Sequence, residues 1–272
     1  MAAYRPNQDS EFLVDVAVAL ELLHTASLLH DDVIDQASIR RGKDAVHARW
    51  GNMISVLTGD FLLSQAFELL VAYRNWQLMD LVVDIVKNMA KGEVEQAFAH
   101  PETEQLEEKY FLWIGKKSAA FFAGCCKAGC LMAGGDSAEQ QLWFDYGYNL
   151  GITFQLIDDY LDYKGKDQIT GKPLYGDLTN GVLTLPLIRA MNSSSGNGLL
   201  KSYLKREPGD RQSGAEEVVQ LVLNSDGPAY TLQKAEHYAQ HAVTLIDQLN
   251  LGTAEQKFLA ADLPLGLLMR SK

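Results

Sequence analysis

Several things are scarce in this 272-residue chain, and each scarcity removes a class of protein. Proline occurs 7 times and sits mostly at boundaries, as at Pro6, Pro101, Pro173, Pro208 and Pro228. Alternating runs of β-branched and polar residues are few, and no Asn-Gly pair joins two of them, so little sheet is expected. Cysteine occurs 3 times, as Cys125, Cys126 and Cys130. The spacing CCKAGC fits no metal-ligand pattern and no histidine lies near it, so these read as small residues on a packed helix. An odd cysteine count, and an N-terminus (MAAYRPNQDSEF) that reads as neither signal nor transit peptide, predict a reducing, cytoplasmic setting. No apolar run approaches the roughly 18 residues that span a bilayer, so no transmembrane segment is expected. Positive charge is short as well: 24 basic residues stand against 35 acidic ones, a formal net charge of −11. No basic stripe survives, which argues against nucleic acid as a partner and against electrostatic docking on anionic lipid.

What is present is helical periodicity. Residues 12–29 place apolar side chains three and four positions apart behind a capping Asp9 or Ser10. Similar patterns cover 54–73, 78–98, 103–131, 138–163, 183–191 and 230–249. Two stretches read as loops: NSSSGNG, and the glycine- and lysine-rich KGKDQITGKPLYGDLTNG. With no repeat of fixed period, the expectation is one all-α domain over residues 1–272.

The chemistry concentrates at LLHDDVIDQASIRRG. Asp31 and Asp35 share a helix face, and Asp32 lies beside them. Three carboxylates this close raise one another's pKa values, and a helix C-terminus disfavours their charge. Taken alone, such a cluster in an acidic chain reads as a solvated face. An EF-hand is excluded, because the alternation is wrong and the twelfth loop position is Gly42 rather than a glutamate. A second stretch, FQLIDDYLD, repeats the spacing at Asp158, Asp159 and Asp162, again at the end of an apolar helix. Buried carboxylates must be paired or bind metal. Oxygen-only donors select a hard cation, Mg²⁺, which bridges carboxylates to substrate phosphates. All six aspartates are therefore candidate metal ligands. Arg40, Arg41, Lys172, and Lys116 with Lys117 in FLWIGKKSAAFFAG, supply the forks and point charges that a diphosphate needs.

At these residues the chain resembles the trans-isoprenyl (polyprenyl) diphosphate synthases. ELLHTASLLHDDVIDQASIRRGKDAVHARWG and GITFQLIDDYLDYKG are similar to the two aspartate-rich regions of that family. GKKSAAFFAGCC is similar to its Lys-Thr helix, with Ser118 in the threonine's place, and GKPLYGDLTNGVLTLPLI to its flexible loop. The resemblance implies an isoprenoid-synthase-type bundle of long helices around a central cavity, as a homodimer. It implies Mg²⁺ on Asp31, Asp32, Asp35, Asp158 and Asp162, an allylic diphosphate on Arg40, Lys117 and Lys172, and Gln155 at the reaction centre. Arg41 would contact isopentenyl diphosphate. The implied activity condenses isopentenyl diphosphate with an allylic diphosphate. Ala26 and Ser27, a turn before Asp31, are small where aromatic residues give short products in this family, so a medium- or long-chain polyprenyl product is expected.

Two departures accompany the resemblance. The basic Gly-Gly-Lys-Arg-x-Arg-Pro segment that precedes the first cluster in the family is reduced here to Tyr-Arg-Pro at 4–6. The loop lysine of the family's GKxTLP is Val182. These leave open an active synthase with a shortened N-terminus, a truncated chain, and an impaired or hetero-oligomeric subunit that binds prenyl diphosphates. A class I terpene cyclase is disfavoured because its second metal site mixes Asn/Asp, Ser/Thr and Glu, unlike DDYLD. A His-Asp phosphohydrolase using His30 and Asp31 lacks the further histidines it would need.

Overall fold

The computed structural model describes residues 10–164, 175–192, 197–249, 251 and 253–270. Five long helical passages dominate residues 10–164: α1 (Ser10–Ile34), α3 (Asn52–Val71), α4 (Trp76–Ala97), a passage from Leu106 to Met132, and α7 (Ser137–Lys164). A short α2 (Val46–Trp50) precedes α3. The Leu106–Met132 passage divides into α5 (Leu106–Ile114), one π-helical turn (Gly115–Ala119) and α6 (Ala120–Met132). Beyond α7 come α8 (Gly176–Asn180), α9 (Leu185–Met191), α10 (Asn197–Leu204), α11 (Ala215–Leu223), α12 (Gly227–Ile246) and α13 (Ala254–Met269). The fold is all-α, as the periodicity predicts.

Local chemistry fixes several boundaries. Asn75 caps α4 by accepting from the Leu78 amide, and Thr253 with Gln256 forms a capping box on α13. The one sheet among the described residues is a hairpin of β1 (Ile39–Arg40) and β2 (Lys43–Asp44). Its two-residue turn places Arg41 and Gly42 at φ 52° and 73°. Positive φ at both central positions matches the twist of a tight hairpin.

Three of the four connections between these passages are short, and α1 pairs Leu29 with Ser55 of α3 and Asp15 with Tyr73 just beyond it, so consecutive passages run antiparallel. The C-terminal ends of α1, α4 and α7 therefore lie at one end of the bundle. A hydrogen bond from the Asn180 side chain to the Asp35 carbonyl (2.9 Å) ties the segment after α7 to the end of α1. Three groups of buried side chains fill the interior. Tyr110, Leu156, Ile188 and Val219 belong to one, Leu20, Leu70, Val82 and Ala128 to the second, and Cys130, Tyr146, Ala242 and Ala260 to the third. Each fully buried leucine or isoleucine contributes about 1.5–3 kcal/mol. The cysteines are free thiols on α6, and burial pushes Cys126 up to about 12.

Residues Phe12–Ile34 and Asn52–Val71 are long and apolar enough to cross a bilayer by length and composition. Scattered polar residues interrupt every apolar run in these helices, which hides their average character from a count of consecutive residues. The two helices pack on each other extensively, while Val14, Val18, Met53, Ile54, Leu57 and Phe61 remain exposed.

Helices α6 and α7 approach closely because α7 carries glycine where they cross. A Cβ at Gly147 would stand 2.6 Å from the Phe122 carbonyl oxygen and 2.8 Å from the Ala123 Cα. Both obstacles are backbone and cannot rotate away. Gly147→Ala is therefore expected to lower the unfolding free energy by about 1–3 kcal/mol. Denaturant titration checks this, and an unchanged midpoint would show that the crossing is looser than described.

Candidate active site

The aspartates sort by helix geometry. Residues four apart share a face, whereas adjacent residues point about 100° apart. Asp31 and Asp158 are half-buried, while Asp32 and Asp159 turn inward and are 3% and 2% exposed. Asp32 takes Arg40 through Nε (2.7 Å) and Nη2 (2.5 Å) on a single oxygen. Asp159 accepts from the Tyr110 hydroxyl (2.6 Å) and the Leu185 amide (3.4 Å) on Oδ2, and from Gln155 Nε2 (2.8 Å) on Oδ1. Of the six candidate metal ligands, these two therefore already carry protein partners. Asp32 is the buried anchor of Arg40, and Asp159 is a hydrogen-bond hub with both oxygens engaged.

Carboxyls on both faces are raised above their ordinary range. Burial, opposed by the Lys117 charge, pushes Asp31 up to about 6. Burial and then the Asp177 charge raise Asp162, whose Oδ2 has no hydrogen-bond partner. Asp159 rises to about 7, chiefly by burial and next by Asp177. Desolvated carboxylates with an unpartnered oxygen are a donor set that fits a hard divalent cation. Among the described residues, no three carboxylate, imidazole or thiol side chains converge tightly enough to cage an ion by themselves. Mg²⁺ typically needs no such cage, since it takes one or two carboxylates and completes its shell with phosphate and water.

Lysines 116 and 117 sit on the π turn, a feature that often marks functional sites. The turn is wedged between glycines. A Cβ at Gly92 would lie 2.5 Å from the Lys117 amide nitrogen, and one at Gly151 would lie 2.6 Å from the Ala119 Cα. The extra residue in the turn gives the two lysines separate partners. Lys116 holds both oxygens of Glu95 (2.7 and 2.6 Å). The Lys117 ammonium touches Glu93 at 2.5 Å, off the angle of a hydrogen bond, and donates to Gln96 Oε1 at 3.2 Å. Burial opposes its charge, but Asp31 and Glu93 outweigh burial and hold its pKa above the usual range. Ser118 donates to Gln155 Oε1 (2.6 Å), which joins the π turn to α7.

The remaining expected residues divide. Arg41 is exposed at the hairpin tip next to the anchored Arg40. Lys172 lies outside the described residues. Val182 is half-buried, and its amide bonds to the Asp177 carbonyl (2.8 Å). Ala26 is buried, and the Ser27 hydroxyl is spent on the His24 carbonyl (2.8 Å). One turn further from Asp31, the His24 ring stacks on Phe121 at 5.3 Å between centroids. Sequence reasoning missed Tyr110, Glu93 and Asp177. Tyr110 stands seven residues before Lys117, two helical turns, and that spacing was the available signal. A surface recess of about 780 Å³, lined by Glu107, Phe111, Lys201 and Tyr238 among others, includes none of these carboxylates.

Comparison with known proteins agrees with this geometry. The family model described as polyprenyl synthetase matches residues 1–222. The chain belongs to the polyprenyl synthetase family. An octaprenyl diphosphate synthase of Haemophilus influenzae is 36% identical over 238 residues, covering 87% of this chain and 72% of the relative. Component 2 of a Bacillus subtilis heptaprenyl diphosphate synthase is 32% identical over 246 residues, covering 90% and 70%. A Caulobacter crescentus polyprenyl synthase, solved with calcium and isoprenyl diphosphate, superposes with a TM-score of 0.88 at 34% identity, covering all of this chain and 82% of its own. A Staphylococcus aureus heptaprenyl diphosphate synthase gives 0.89 at 30%, covering 99% and 84%.

The raised carboxylates make a linkage prediction for this polyprenyl synthetase family member. A folded pKa above the unfolded value gives stability that is full below about pH 4 and lost as pH rises through 6 to 7. In metal-free buffer the melting temperature should rise from pH 8 to pH 6, by about 2–4 °C for each kcal/mol in a chain of this size. Mg²⁺ with pyrophosphate should flatten that rise by favouring the ionised carboxylates. Differential scanning fluorimetry across pH reads both. A melting temperature that falls between pH 8 and 6 without metal would contradict the raised values.

Proposed function

We infer that this chain is a trans-polyprenyl diphosphate synthase, which joins isopentenyl diphosphate to an allylic diphosphate and makes medium- or long-chain products. The observation that carries the reading is a desolvated Asp31 at the end of α1 with the charges of Lys117 and Arg40 beside it, at the end of the bundle where α7 finishes in Asp158 and Asp162. Asp31 and Asp35 from α1, with Asp158 and Asp162 from α7, would hold Mg²⁺. When bound, the metal neutralises the diphosphate and assists its departure. Lys117 and Arg40 hold the same leaving group, and their charges stabilise pyrophosphate as the allylic C–O bond breaks. The alkene of isopentenyl diphosphate then attacks the allylic carbon, and the departed pyrophosphate takes the proton released as the new double bond forms. No protein nucleophile is needed.

The exposed apolar face of α3 supports a homodimer, since a patch of this kind commonly marks an interface. A second reading, a subunit of a hetero-oligomer, is favoured by the similarity to two heptaprenyl synthase chains named component 2. The acidic, cysteine-poor composition supports a cytoplasmic location. Small side chains at Ala26 and Ser27 support a long product.

Incubation of the purified chain with Mg²⁺, farnesyl diphosphate and labelled isopentenyl diphosphate, followed by product sizing, tests both activity and length. Products longer than the primer are expected, and Ser27→Phe should shorten them by at least one isoprene unit. No incorporation while farnesyl diphosphate still binds would transfer the case to the subunit reading. An unchanged product ladder in Ser27→Phe would remove that position from length control.

A further inference from the structure

Four side chains from three elements form one hydrogen-bonded line. Tyr110 of α5 donates to Asp159 of α7 at 2.6 Å, Gln155 Nε2 donates to the other oxygen of Asp159 at 2.8 Å, and Ser118 of the π turn donates to Gln155 Oε1 at 2.6 Å. The Leu185 amide, at the start of α9, adds a weaker donor at 3.4 Å. Tyr110 and Asp159 are 1% and 2% exposed, whereas Ser118 and Gln155 are half-buried. Ser118 adjoins Lys117, and Gln155 is one turn before Asp158.

The direction of this line follows from its contacts. Asp159 Oδ2 takes the Tyr110 hydroxyl, and the Gln155 amide nitrogen faces Asp159 Oδ1. The Gln155 carbonyl oxygen then faces Ser118. The single hydroxyl hydrogen of Ser118 is thereby committed to Gln155. What these two residues have left for a bound molecule is oxygen lone pairs.

We propose that the buried Tyr110–Asp159 pair is a positioning device for the condensation: it fixes the Gln155 amide so that Ser118 and Gln155 meet the developing allylic cation with oxygen lone pairs instead of O–H or N–H groups. This rests on the reading that the chain ionises an allylic diphosphate. An amide turned the other way would aim N–H dipoles at a positive centre and oppose its formation. Tyr110 and Asp159 touch no reacting atom. Their effect passes through Gln155, and that distinguishes them from a staple that merely joins α5, α7 and α9.

The test uses Tyr110→Phe in the full chain, which deletes one hydroxyl and keeps the ring. Turnover is expected to fall about tenfold, with KM for farnesyl diphosphate changed less than twofold, because orientation is lost and binding is kept. In a Gln155→Ala background the same substitution should cost less than twofold, since its route is already cut. Asp159→Asn, of nearly the same shape, should lose more than Tyr110→Phe, and it serves should Tyr110→Phe melt too low to assay. Unchanged turnover in Tyr110→Phe, or an equal loss in both backgrounds, would overturn the proposal. A crystal structure of Tyr110→Phe decides the matter without turnover. Gln155 should leave Ser118 in it, and Gln155 still seated as in the parent would sink the positioning role even if the chain makes no polyprenyl product.

Discussion

Electrostatic repulsion among carboxylates at one end of a helix bundle is the constraint around which this protein is organised. Two helices, α1 and α7, each end in three aspartates, and neither the helix dipole nor the apolar surroundings favours their charge. The chain resolves half of that conflict internally. Asp32 is paired with Arg40 and Asp159 is surrounded by donors, so both are buried without being orphaned. Asp31 and Asp162 stay desolvated, Asp31 beside the Lys117 charge and Asp162 with one oxygen unpartnered. The proposed completion by a cation and an anion together would use these carboxylates.

Packing sets the geometry in which that completion occurs. Glycines 92, 147 and 151 admit helix backbones to within contact distance. The same squeeze accommodates a π turn in which Lys116 and Lys117 take different glutamates and Ser118 reaches α7. Fold and chemistry are therefore coupled at one point. The close crossing that holds α7 against the Leu106–Met132 passage also presents the ammonium of Lys117 toward the first carboxylate pair.

Much of this was legible in the sequence. Apolar residues at three- and four-residue spacing give the helices, and the repeated Asp-Asp-x-x-Asp gives the two clusters. The separate surroundings of the second aspartate in each motif were not legible, for a geometric reason. A motif treats its residues as one unit, while a helix turns about 100° between neighbours and sends Asp32 and Asp159 inward. The π turn has no sequence signature beyond lysines in an apolar stretch. The hairpin at Arg41 hangs on Gly42 alone. Partners distant along the chain, Tyr110 with Asp159 and Asn180 with Asp35, are fixed by tertiary packing, which periodicity does not encode.

The most direct measurement is anomalous diffraction from crystals of the protein grown with Mn²⁺ and pyrophosphate. The account predicts metal ions between the Asp31–Asp35 pair and the Asp158–Asp162 pair, bridged by the diphosphate, with the Lys117 ammonium against it and no ion on Asp32 or Asp159. Ions bound through Asp32 or Asp159, or a diphosphate seated away from both carboxylate pairs, would contradict it.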